Sequence, residues 1–171
     1  VQGVAATAPV IPITVLDARG ETSTADVVAG IHRAVALGAR VINASLAAPA
    51  AMATPADAKA LRNAIFSAVS RGVAVVVPSG NEGATQLDVP ARYPHVISVG
   101  ATDEAGLPAS FSNSGPGLDL VAPGAAITTA VPAGVCKSGY GLVSGTSFAA
   151  PAVAGAAALL LEKHPELDVS Q

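Results

Sequence analysis

A chain of 171 residues that is 51% hydrophobic and only 12% charged can bury a core, which excludes intrinsic disorder. With 3% aromatics and no Trp, that core must be built from Ala, Val, Leu and Ile. A net charge of -3 without any Lys/Arg run leaves nothing to neutralise phosphates and excludes a nucleic-acid partner. The single cysteine, Cys136, closes no internal disulfide and reads as a plain buried or loop thiol. Three histidines beside it give no Cys/His zinc pattern. The longest apolar stretch, Ala152 to Leu161, is too short to span a bilayer. Val1 opens without Met or a basic start, so it reads as an internal position of a longer precursor.

The first element is a β-branched run, Ile11-Pro-Ile-Thr-Val-Leu16, ended by the Asp17-Ala-Arg-Gly20 turn, and it predicts a strand. A helix follows, with Thr24 as N-cap, Asp26 in its first turn, and Val27, Ile31 and Val35 near helical spacing; Gly38 stands where a C-cap belongs. Val41 to Ser45 reads as a strand. A second helix runs from Pro55 to about Arg71, with Thr54 capping, Pro55 first in the helix and Gly72 beyond its end. Val73-Ala-Val-Val-Val77 is a strand buried on both faces. This alternation predicts an α/β fold: a doubly wound, mostly parallel sheet with helices on both faces and right-handed crossovers.

Beyond Val77 a Gly-rich loop covers Pro78 to Arg92, and His95 to Val99 reads as another strand. Turns run through Ala122-Pro-Gly124, and a loose hairpin spans Ile127 to Val143 around Pro132-Ala-Gly134. A small-residue helix from Ser147 to His164 is stopped by Pro165, and Leu167 to Gln171 reads as the approach to another helix with Asp168 as cap.

Ligands of an open parallel sheet bind at the carboxyl ends of its strands. That selects Ser45 and its neighbours, Pro78-Ser-Gly-Asn81, and Gly145-Thr-Ser-Phe-Ala-Ala-Pro151, which leads into the last helix. A serine there stands beside free backbone N–H groups and the positive end of the helix dipole, where an oxyanion is stabilised. Taken alone, Ser147 is an ordinary N-cap serine, and Asn81 before a Glu-Gly pair is an ordinary turn residue.

The complete heptad Gly145 to Pro151 resembles the nucleophile motif Gly-Thr-Ser-x-Ala-x-Pro of the subtilisin-like serine proteases, the subtilases. The resemblance covers nearly the whole chain in the family's order: Gly3-Val-Ala5, Val41-Ile-Asn-Ala-Ser-Leu46, Ser79-Gly-Asn-Glu-Gly83 and Val121-Ala-Pro-Gly124 each match one of its segments. The fold it implies is a three-layer αβα domain, incomplete at the N-terminus, with residues 1–171 forming one partial catalytic domain. The activity it implies is serine endopeptidase: Ser147 as nucleophile, Asn81 giving its amide to the oxyanion hole, Thr146 supporting it. Ser45, Leu46 and Ala47 would form one wall of a cleft for extended peptide substrates, and Pro78, Ser79 and Gly80 the other. Ala47 replaces a common Gly and Pro78 a common Ala, so the preferred side chain does not follow from the family. Phe111 would lie on the leaving-group side, although as a bare residue it reads as core.

A serine is a weak nucleophile without a histidine to take its proton and a carboxylate to orient that histidine. The family's Asp-[ST]-Gly and His-Gly-Thr segments precede Gly-Val-Ala, and neither occurs here. His32, His95 and His164 read as structural, as does Asp17. The expectation is that the Asp and His lie outside this chain, in the N-terminal part of the same domain, and that the 171 residues alone are inactive. The family also implies secretion or the cell envelope, no cofactor for the chemistry, and a structural calcium near Ala91, Tyr93, Val96 and Asp119.

Other classes fit less well. An α/β-hydrolase needs an acid and then a histidine after the serine, whereas only His164 and Asp168 follow, in the reverse order. Gly115-Pro-Gly-Leu-Asp-Leu120 lacks the third glycine of a dinucleotide site, and there is no Walker sequence. The alternative from another class is a catalytically inactive subtilase-like scaffold that only grips extended peptides.

Overall fold

The computed structural model describes residues 3–132, 134 and 136–169. Its centre is a four-stranded parallel sheet ordered β1-β2-β3-β4: β1 Val41–Asn43, β2 Ala74–Pro78, β3 Ile97–Thr102 and β4 Leu120–Pro123. The register pairs Ile42 with Val75, Val77 with Ser98, and Ala101 with Ala122. Helices α1, Thr24–Ala36, and α2, Pro55–Val69, pack on each other, and α3, Thr146–Lys163, lies against all four strands. An antiparallel hairpin, β5 Ile127–Ala130 and β6 Tyr140–Val143, precedes α3.

The valine run of β2 makes the layers. Successive side chains of a strand point to opposite faces. Val75 and Val77 accordingly join Ile31, Ala64, Ile65 and Ala68 of α1 and α2 in one core. Val76 joins Val99, Ala101, Ala149, Ala150 and Ala154 in the other. All five β2 residues are buried, and this is the three-layer αβα arrangement. The side chains of α3 that face the sheet are alanines, so its backbone can come close. Gly124 allows this: a Cβ there would stand 2.6 Å from the Ala101 Cβ and 2.9 Å from the Gly145 carbonyl.

The two early helices close their own N-termini. Ser23 rather than Thr24 caps α1, because Ser23 holds the extended backbone from which its Oγ accepts the Asp26 N–H at 3.1 Å. Thr54 Oγ1 accepts the Asp57 N–H at 3.1 Å, with Pro55 first in α2. That helix stops at Val69, two residues short of Arg71.

Other differences have local causes. Residues 11–16 form no strand: Thr22 Oγ1 donates to the Val15 carbonyl at 2.6 Å, and Ile13 and Val15 pack over Gly30 of α1. Their backbone meets no ladder partner among the described residues. His95 opens no strand. It sits at φ +71° with its ring 5.7 Å from that of Phe66, and β3 begins only at Ile97. Strand β4 replaces the turns that the sequence predicts through Ala122-Pro-Gly124, where Gly and Pro punctuate the chain. It is the edge of the sheet, with Leu120 and Val121 about half exposed. The hairpin agrees with expectation, although Ala133, inside its Pro132-Ala-Gly134 turn, lies outside the described residues, as do Ser170 and Gln171 of the final approach.

Candidate active site

Three chain segments meet at the start of α3. Gly145 holds φ +157° and ψ 153° as N-cap and offers no side-chain cap, a conformation open in practice only to glycine. Its N–H donates to the Gly124 carbonyl at 2.8 Å, which ties the Ala-Pro-Gly turn to this bend. The cap comes instead from the loop after β2. Asn81 Oδ1 accepts the Thr146 N–H at 2.8 Å and the Thr146 hydroxyl at 3.0 Å. Thr146 is 0% exposed, and its Oγ1 also accepts the Gly80 N–H at 3.3 Å.

Ser147 is therefore the second residue of α3 and not its cap. It is partly buried. Its N–H and Oγ have no hydrogen-bond partner among the described residues, and neither does the amide Nδ2 of the exposed Asn81. An unengaged hydroxyl beside an unengaged helix N–H, with a side-chain amide fixed nearby through its oxygen, is what an oxyanion formed on a Ser147 adduct requires. From the β1 side, Ser45 Oγ donates to the Ser147 carbonyl at 2.9 Å and accepts from Asn43 Nδ2 at 3.0 Å.

The two segments expected to form walls are tied to each other. Ala48 and Val89 exchange two backbone hydrogen bonds of 3.0 Å, joining the segment after Ser45, Leu46 and Ala47 to the loop that follows Pro78, Ser79 and Gly80. Leu46 is partly buried and Ala47 exposed. Pro78, Ser79 and Gly80 are buried, and the Ser79 hydroxyl turns inward to the Asn113 carbonyl at 3.0 Å. That wall consequently presents backbone rather than the Ser79 side chain. Phe111 packs against the α3-side core, in keeping with its reading as a bare residue.

Asn113 is the main residue that sequence reasoning missed. It is 1% exposed, accepts the Glu82 and Ala84 N–H groups at 3.0 and 2.8 Å, and donates to Glu82 Oε2 at 2.7 Å. Its N–H reaches the Gly80 carbonyl at 3.1 Å. The loop carrying Asn81 is thus held by one amide side chain 32 positions downstream. In Phe111-Ser-Asn-Ser-Gly115 the only visible signal is a turn. Asp88, also missed, is the one carboxylate among the buried side chains described.

The histidines do not serve Ser147. His32 is exposed on α1, and His95 is exposed against α2. His164 ends α3 about 25 Å along the helix from Ser147, with its Nδ1 3.3 Å from Glu166. Asp17 is structural, accepting the Arg19 and Glu21 N–H groups at 2.9 Å, which lower its pKa. Cys136 is a free, partly buried thiol between β5 and β6, its pKa lowered by a hydrogen bond with Ser138.

The residues expected at a calcium site include one carboxylate, that of Asp119. Asp119 Oδ2 accepts both the N–H and the hydroxyl of Ser98 at 2.8 Å, pinning β3 to the approach to β4. Ala91 and Val96 are buried and Tyr93 is partly buried, so Ala91 and Val96 could offer a cation only their backbone carbonyls, with Asp119 as the one carboxylate of the set. No group of three His, Cys, Asp or Glu among the described residues could hold a metal. No described helix is long and apolar enough to cross a membrane. A surface hollow between Ile13–Ser23 and α1 shares no residue with the Ser147 region.

The model of the subtilase family matches residues 1–171. Subtilisin Savinase of Lederbergia lenta is 44% identical over 165 residues, which is 96% of this chain and 58% of that protein. Subtilisin E of Bacillus subtilis is 40% identical over 169 residues, 96% of this chain and 42% of its own length. Among solved structures, a cold adapted subtilisin-like serine proteinase superposes with TM-score 0.77 at 34% identity, covering 92% of this chain and 55% of that one. A lanthipeptide protease reaches TM-score 0.82 at 27% identity, covering 94% and 59%. The chain spans about half the length of the relatives it matches. It belongs to the subtilase family.

Proposed function

We propose that the protein carrying this chain is a subtilisin-like serine endopeptidase that cleaves peptide bonds through an acyl-enzyme on Ser147. The observation that carries this reading is the start of α3, where the Ser147 hydroxyl and N–H and the Asn81 amide nitrogen have no hydrogen-bond partner among the described residues, while the Thr146 N–H and hydroxyl are both bonded to Asn81. Ser147 Oγ attacks the scissile carbonyl. The Ser147 N–H and Asn81 Nδ2 donate to the oxyanion, and Thr146 holds Asn81 in place. An extended peptide lies between Ser45–Ala47 and Pro78–Gly80, pairing with their backbone. The names of the relatives, a subtilisin-like serine proteinase and a lanthipeptide protease among them, favour this over an inactive peptide-gripping scaffold.

In this reading residues 1–171 are one partial catalytic domain, and the Asp and His that activate Ser147 belong to its N-terminal part, outside this chain. The chemistry uses no cofactor. Secretion or the cell envelope follows by analogy with the relatives. A fluorophosphonate probe applied to the full-length protein tests the assignment. It should label Ser147, and Ser147→Ala should abolish both labelling and peptide hydrolysis. Hydrolysis unaffected by Ser147→Ala, or rapid labelling of the isolated 171-residue chain, contradicts it.

A further inference from the structure

The loop from Ser79 to Ala84 carries neither helix nor strand, yet all six of its N–H groups are taken. Those of Ser79 and Gly83 reach the carbonyls of Val99 at 2.9 Å and Phe111 at 2.7 Å. The Gly80 N–H reaches Thr146 Oγ1, and those of Glu82 and Ala84 reach Asn113 Oδ1. These bonds all leave the loop. The Asn81 N–H alone is met from within it, by Glu82 Oε2 at 2.9 Å.

That same oxygen accepts from Asn113 Nδ2 at 2.7 Å. One carboxylate oxygen therefore links the main chain of Asn81 to a side chain that is 1% exposed. Glu82 itself is exposed and belongs to neither core. No cation lies within 4.0 Å of it among the described residues. Its charge is unwelcome here: after burial, it is the next cause that raises the pKa of Asp88. Neither packing nor charge balance accounts for the carboxylate, whereas its two hydrogen bonds do.

Those bonds act on the oxyanion donor. The Asn81 amide is fixed through Oδ1 by Thr146, and a group held at one atom still pivots about it. A second anchor on the N–H of the same residue fixes its Cα, and with it the direction of Nδ2. Such a donor works only within a narrow range of positions, since a misplacement of about 1 Å can cost ~10²-fold in rate.

We infer that Glu82 is a positioning residue of the oxyanion hole, which aims the Asn81 amide by bracing the Asn81 main chain against the buried Asn113. This rests on the endopeptidase reading, in which Asn81 Nδ2 donates to the oxyanion. The brace uses an oxygen acceptor rather than a charge, so a glutamine carbonyl can receive the same two donors.

The test is steady-state kinetics of the full-length protein on a peptide without charged side chains. Glu82→Ala should lower kcat on the order of tenfold, short of the ~10²–10³ for complete loss of one oxyanion donor. KM should change less than about twofold, because the interaction belongs to the transition state. Glu82→Gln should bring kcat back to within about threefold of wild type, the residual loss reflecting weaker neutral hydrogen bonds. In an Asn81→Ala background no amide remains to be aimed, and Glu82→Ala should then cost less than about a further twofold. An unchanged kcat in Glu82→Ala overturns the inference. So does a loss that persists in the Asn81→Ala background, or a Glu82→Ala protein that no longer unfolds cooperatively on heating, since either makes the role structural. Any of these in a protein that hydrolyses peptides defeats this inference alone. A wild-type protein that neither hydrolyses peptides nor labels at Ser147 defeats the endopeptidase reading with it.

Discussion

The N-termini of α1 and α3 are built on opposite plans. Helix α1 is closed from within: Ser23 accepts from Asp26 three residues on, and nothing remote is needed. Helix α2 repeats this with Thr54 and Asp57. Helix α3 has a glycine at its cap, and the acceptor for its first N–H comes from Asn81, 65 residues earlier. The next N–H, that of Ser147, is left without an acceptor among the described residues. A self-contained cap spends the dipole on stability. A borrowed cap fixes the helix while keeping one donor available to a ligand.

The sharpest way to break this contrast is at Asn81. Asn81→Asp keeps an oxygen acceptor for Thr146 but loses the amide donor. In the full-length protein it should lower kcat by about 10²–10³, the magnitude established for loss of one oxyanion donor in a subtilisin, while thermal stability holds. Asn81→Ala should lose both, adding roughly 1 kcal/mol of destabilisation. Equal kcat in Asn81→Asp and wild type would mean that the cap is structural only.

A next, smaller effect is expected at Asn113. Asn113→Ala leaves the Glu82 and Ala84 N–H groups without their acceptor. It should cost about 3 kcal/mol in denaturant unfolding, with kcat falling because the Asn81 loop is released. Smaller still, Ser23→Ala and Thr54→Ala should each cost about 1 kcal/mol and leave kcat unchanged. A fall in kcat at either cap would erase the distinction between the two kinds of helix start.

The mildest probe is pH. Burial, and then the charge of Glu82, raises the pKa of Asp88 in the folded state above the 3.8 of a free aspartate. The unfolded chain therefore gives up that proton first as pH rises. The neutral carboxyl favours the fold below 3.8, and this advantage is lost as pH climbs through the raised folded value. Asp88→Asn, which stays neutral, should gain in Tm over wild type at neutral pH, with the gap closing towards pH 4. A gap that widens on acidification would contradict the sign.

Sequence reasoning recovered elements whose signals are local. The valine run Val73–Val77, the Thr54-Pro55 start and the Gly38 and Gly72 stops all lie within one turn or strand of the structure they specify. It singled out Ser147 and Asn81 because the heptad and the Ser-Gly-Asn-Glu-Gly run are continuous in the chain. It failed where the determinant is a distant partner. Residues 11–16 have strand composition, but their apolar side chains pack on Gly30 of α1 while their backbone joins no ladder. Strand β4 exists because β3 is beside it, and nothing between Gly117 and Gly124 announces that neighbour. Asn113 and Asp88 gain their meaning only from Gly80, Glu82 and Ser79, which the topology brings to them.

The backbone clasp between Ala48 and Val89 has an evolutionary consequence. It joins the two walls through main-chain atoms alone, and no side chain is written into it. Substitutions that recolour the lining can therefore accumulate without unfastening the frame.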